Sequence, residues 1–126
     1  MADVATQIED LRAAYPGAVV EPRPDGSFLI RLPEVPLPPG WSQPSVAITF
    51  VVPVGYPMAR PDCFWADAGL RLGNGAGLPS NTAMNTTYGG SQPLLWFSYH
   101  ASAWNPNQDT LLTYARVVRR RLSEVR

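Results

Sequence analysis

SVAITFVVPVGYPMARPDCFWAD, residues 45–67, carries the densest β signal in the chain and the turn that follows it. Val46, Ile48, Thr49, Val51 and Val52 are β-branched, and with Phe50 they place bulk on both faces of an extended segment. That pattern suits a central strand covered on two sides. Proline then recurs at 53, 57 and 61, which prevents a continuous ladder, and DCFWAD resumes with aromatic residues suited to a fourth strand. A strand–turn–strand unit in mid-chain predicts an antiparallel meander.

The sequence on the N-terminal side extends it. ADVATQIEDLRAAYPG places Val4, Ile8, Leu11 and Tyr15 at helical spacing, with Asp3 or the Thr6/Glu9 pair as cap and Pro16–Gly17 as stop. AVVE, the turn PDG and the alternating SFLIRL read as a hairpin. PEVPLPPGWSQPS, residues 33–45, reads as an irregular connection stiffened by proline.

On the C-terminal side, residues 69–93 are glycine-rich and show no periodicity, which predicts a long loop, either functional or mobile. LLWFSYHASAWNP, residues 94–106, follows it. A final helix is predicted with Asp109 as N-cap. Leu111, Ala115, Val118 and Leu122 share one face of that helix, and Arg116, Arg119 and Arg120 lie mostly away from it. The predicted class is α+β: a helix, an antiparallel meander, a long loop and a helix, in one domain spanning residues 1–126.

Composition narrows the chemistry. Formal net charge is zero, which argues against nucleic acid as a general partner. No apolar run is long enough for a membrane span, and the single cysteine fits a reducing cytoplasm. One cysteine and one histidine are too few for the usual four-ligand zinc site. Every basic residue is arginine, so no side-chain amine can accept an acyl group or form a Schiff base.

The lone histidine, His100, stands two places after Ser98. If residues 96–100 are extended, Trp96, Ser98 and His100 share one face while Phe97 and Tyr99 face the core. Ser98 and His100 are the candidate catalytic pair: a serine hydroxyl stays protonated at neutral pH and needs a neighbouring base. Alternatively His100 assists an incoming acceptor while Ser91 or Ser102 holds an acyl group, with amides near Gly89 and Gly90 as oxyanion donors. Asp67 and Asp109 are candidates to orient His100, although a strand-end turn and a helix cap account for them more simply. Cys63 reads as a small buried hydrophobe.

GYPMARPDCFWAD resembles the tyrosine–proline segment of the ubiquitin-conjugating (E2, UBC-like) superfamily, with the second proline one residue late. WNPNQDTLLTYARVVRRRL resembles the tryptophan–polar–proline segment that opens the helix after that family's active site. With the first helix and the meander, the resemblance spans nearly the whole chain. It is closest to prokaryotic E2-like proteins encoded beside bacterial ubiquitin-like modifiers. Counting back from Trp104 to the position of the family's nucleophilic cysteine reaches Trp96, so the usual catalytic cysteine is lacking. The family's His-Pro-Asn element is not legible, and spacing does not choose among Asn74, Asn81 and Asn85.

The resemblance implies an E2-like component of a bacterial ubiquitin-like conjugation system connected with phage defence. Its implied partners are an E1-like adenylating enzyme, a ubiquitin-like modifier and a deconjugating peptidase, with Ile8, Glu9 and Arg12 of the first helix as candidates for the E1 surface. It implies no metal or organic cofactor. Ser98 would then carry an oxyester where ordinary E2 enzymes form a thioester. The rival reading is a non-catalytic E2-variant or RWD-like binding module. A free-standing Ser/His hydrolase is weaker still, since G-x-S-x-G is absent.

Overall fold

The computed structural model describes residues 3–73, 75, 77–86, 93–101 and 103–126, with the backbone alone at 85 and 86. Helix α1, Val4–Ala14, is capped by Asp3, whose carboxylate accepts from the Thr6 amide at 2.8 Å. Of the two caps open in the sequence, Asp3 is therefore the one used. The helix buries Gln7, Ile8 and Leu11 and leaves Glu9 and Arg12 outside as an ion pair.

Strands β1 (Val19–Pro22) and β2 (Phe28–Pro36) form the expected hairpin. Its turn is closed by Asp25, which accepts from both the amide and the hydroxyl of Ser27. Gly26 there has φ +93°, a conformation open to glycine at no steric cost. β2 runs further than the sequence suggests. Residues 33–36, expected in the irregular connection, continue the strand through a register shift between Leu32 and Val35. The bulge lets Pro33 pass without supplying a ladder N–H, which is why a proline did not end the strand.

β3 (Ser45–Val52) is central and almost wholly buried, as its β-branched run predicts. β4 is short, Phe64–Ala66. β5 (Thr82–Thr86) and β6 (Pro93–Phe97) complete one antiparallel sheet in the order β1-β2-β3-β4-β6-β5. β5 corrects the reading of residues 69–93 as an aperiodic loop. It is an edge strand paired on one side only, so it needs no continuous apolar pattern.

Helix α2, Leu111–Ser123, is capped by Thr110, not by Asp109. Thr110 and Thr113 form a reciprocal capping box, while the Asp109 carboxylate accepts from the Asn105 amide and closes the preceding turn. α2 buries Leu111, Ala115, Val118 and Leu122 as predicted, and also Tyr114 and Arg121. It packs on the sheet through Tyr114, whose ring lies 5.0 Å from that of Phe50. Among the described residues no helix is long and apolar enough to cross a membrane.

Three polar contacts tie together the turn after β3, α1 and the approach to and start of α2. The Tyr56–Pro57 peptide is cis, and the Tyr56 hydroxyl donates to Gln7 Oε1 on α1. The same oxygen accepts from the Leu111 amide at the start of α2. Trp104 donates its indole N–H to the Pro57 carbonyl at 2.8 Å and lies against the Tyr56 ring. Tyr56–Pro57 is thus the rigid turn the sequence suggests, and Trp104 anchors the approach to α2.

Candidate functional site

Pairing of β4 with β6 sets Phe64 opposite Phe97, their rings stacked at 4.7 Å. The lead-in to β4, Asp62 and Cys63, therefore arrives beside the exit from β6, Ser98 to His100. Residues far apart in sequence meet here because β6 inserts between β4 and β5.

His100 is half-exposed, and its Nδ1 is hydrogen-bonded to Asp62 Oδ1. Asp67 and Asp109 do not orient it. Asp67 accepts from the Ala47 amide and from Gln43, and Asp109 closes the turn described above. Asp62 was missed because no local spacing links residues 62 and 100; only the strand order does.

Ser98 is half-buried, with its amide donating to the Asn81 carbonyl at 2.9 Å. The extended geometry expected through residue 100 stops at Phe97. The Tyr99 amide then donates to the Phe97 carbonyl at 3.0 Å, a three-residue turn. Ser98 and His100 share the end of β6, but among the described residues no hydrogen bond joins them. Asn81 lies just before β5 with φ +57°, and Asn85 within it. Asn74, Gly89, Gly90, Ser91 and Ser102 lie outside the described residues.

The profile of prokaryotic E2 family E matches residues 14–125. The chain belongs to this family. Membership supports an E2-like role in a ubiquitin-like system, whose general partners are a modifier and an E1-like enzyme, and the α+β architecture is consistent with an E2-like fold. No curated protein and no solved structure gives a significant match.

In this family E protein Cys63 is buried, as expected, but its backbone is unusual. It precedes β4 instead of lying within it, and its φ of +60° is left-handed, a costly state for a residue with a Cβ. The hydroxyl of buried Tyr114 donates to its carbonyl and holds that peptide in place. Burial and the adjacent Asp62 carboxylate push the thiol pKa up, opposed by the Tyr99 amide and the Trp96 side chain. Sulfur, carboxylate and imidazole ligand atoms of Cys63, Asp62 and His100 all lie within 4.8 Å of one another.

Arg60, Asp62 and His100 line a shallow depression of about 340 Å³ at this end of the sheet. A larger groove, bordered by Tyr15, Pro16, Pro33, Glu34 and Arg119, contains none of the candidate catalytic residues. A third, between α1 and the β1–β2 hairpin, includes Ile8, Glu9 and Arg12. Ile8 itself is mostly buried, so Glu9 and Arg12 are the parts of that triplet a partner can reach.

Proposed function

We propose that this chain is a single-domain acyl carrier. It takes the C-terminal acyl group of a ubiquitin-like modifier from an E1-like enzyme and holds it as an oxyester on Ser98, with His100 as base. The observation that carries this reading is the His100–Asp62 pair at the exit of β6, two residues beyond Ser98.

Bonded to Asp62 through Nδ1, the neutral imidazole keeps its Nε2 lone pair for a proton. It would take the Ser98 proton, directly or through one water, as the oxygen attacks the acyl carbonyl. The C–O bond forms, the bond to the leaving group breaks, and the proton passes to that group. The Arg60 guanidinium borders the same depression as His100 and would add positive charge on the side where the oxyanion develops. A deconjugating peptidase would act downstream of this transfer.

Mixing the chain with its E1-like protein, modifier and ATP, followed by intact-mass analysis, tests the proposal. The expected adduct resists thiols, yields to mild base and is lost in Ser98→Ala. Removing the base in His100→Ala should slow its formation by about 10²–10⁴-fold. The turn after Phe97, which takes Ser98 and His100 off a common strand face, favours a second reading as a non-catalytic binding module. Retained modifier binding without any adduct would select it.

A further inference from the structure

In an extended strand Asp62 and Cys63, as neighbours, would point to opposite faces. The left-handed backbone at Cys63 breaks that alternation and turns both side chains toward His100. The Cys63 sulfur lies 3.9 Å from Asp62 Oδ1. Tetrahedral zinc with bonds of about 2.0–2.3 Å sets its ligand atoms roughly 3.5 Å apart, so small rotations of two exposed side chains are enough to close the set.

The donor types are selective. Thiolate, imidazole and carboxylate together suit zinc, whereas calcium and magnesium prefer oxygen alone. Tyr114 fixes the Cys63 peptide from behind, an outer contact of the kind that orients a metal ligand. The open side is wet, since the side chains of His100 and Asp62 are 51% and 65% exposed, which leaves a path of entry and a fourth coordination position for water. Arg60 borders the same depression and opposes a cation, but a thiolate and a carboxylate together balance the two charges of zinc.

We propose that Asp62, Cys63 and His100 form a three-ligand zinc site, and that zinc bound there arrests acyl transfer. On binding, the Cys63 thiol gives its proton to solvent, and the imidazole of His100 gives up its role as base to become a ligand. The arrest, though not the site, rests on the reading of His100 as the base.

Cobalt(II) is the probe, titrated into the purified, chelator-treated chain. The expected result is one cobalt per chain with a sulfur-to-metal charge-transfer band and tetrahedral visible bands, both removed by one equivalent of zinc. Cys63→Ser should lose the charge-transfer band. His100→Ala and Asp62→Asn should weaken binding by at least about tenfold, the lower end of what even an outer-shell change costs. Circular dichroism identifies any variant that has not folded. A wild-type chain without the band, or a band equally strong in His100→Ala and Asp62→Asn, overturns the site.

The arrest is read separately, in the loading reaction with E1-like protein, modifier and ATP. Zinc should stop loading of the wild-type chain, and loading of Cys63→Ser should be insensitive to it. Equal wild-type loading at saturating zinc overturns the arrest. No loading at any zinc level, with the cobalt bands intact, sinks the Ser98 reading and leaves the metal site standing.

Discussion

Tyr114 and Arg121 are the residues on α2 that hold the candidate site from behind. Arg121 is 1% exposed, yet its guanidinium is bonded to the carbonyls of Ser80, Glu124 and Arg126 and lies over the Phe97 ring at 5.1 Å. Burial lowers its pKa, and the three carbonyls supply the partners a buried cation needs. Arg121→Met keeps much of the volume but leaves those oxygens without their donor. We expect a loss of about 2–4 kcal/mol in urea unfolding. Tyr114 gives a pH-dependent prediction. Burial, the first cause, and nearby Cys63 and Asp62 raise its phenol pKa well above the ordinary 10.0. A group whose pKa is raised on folding contributes stability that is complete below the unfolded value and lost as pH climbs past it. Unfolding should therefore become easier above pH ~10, by about 1.4 kcal/mol per pH unit from this group. Tyr114→Phe should remove that slope, and at neutral pH cost about 1–2 kcal/mol for its bond to Cys63. Urea midpoints on either side of pH ~10 for both chains provide the check.

At the scale of elements, α2 shows how a cap is misread by one position. Asp109 and Thr110 are both good N-caps, and propensity ranks aspartate at least as high. Asp109 is used instead to close the Asn105–Asp109 turn, leaving the cap to Thr110 with Thr113 as reciprocal partner. Thr110→Ala should accordingly destabilise by about 1 kcal/mol, seen as a lower melting temperature. The strands show a similar division. The first hairpin was legible because its turn signal is followed by an alternating strand, and β3 because burial on both faces calls for a dense β-branched run. The end of β2 was not, since a bulge can absorb Pro33. β5 was not either, because an edge strand with Asn85 and exposed Met84 is kept in place by its partner β6 and not by its own propensity. Of the candidate site, His100 and Ser98 stood out as chemistry-bearing residues in a strip of aromatics. Asp62 did not, because its role comes from the β4–β6 pairing.

Across the whole molecule, the site is assembled from two regions of sequence and supported by a third. Asp62 and Cys63 come from the lead-in to β4, Ser98 and His100 from the exit of β6, and α2 holds both through Tyr114 on the Cys63 carbonyl and Arg121 on the Phe97 ring. Substitutions should therefore fall into two groups. Val118 of α2 is 1% exposed in the core cluster that also contains Phe64 and Phe97, so Val118→Ala removes packing from the core shared with β4 and β6. It should lose about 1–3 kcal/mol and slow modifier loading in the same variant. Asp62 is exposed, so its pairing with His100 adds little to stability, at most about 1 kcal/mol. In the proposed mechanism its work is to hold the His100 imidazole in one orientation, so Asp62→Asn should leave the melting temperature nearly unchanged while slowing loading. The loss of the buried aspartate in a Ser-His-Asp triad, about 10⁴-fold, is an upper bound, because water can partly replace an exposed carboxylate. Melting temperature and single-turnover loading rate, measured together on both variants, separate the two groups. If Asp62→Asn loads at the wild-type rate, His100 does not depend on its partner and Asp62 has no orienting role in the oxyester mechanism, whose base is then tested by His100→Ala alone.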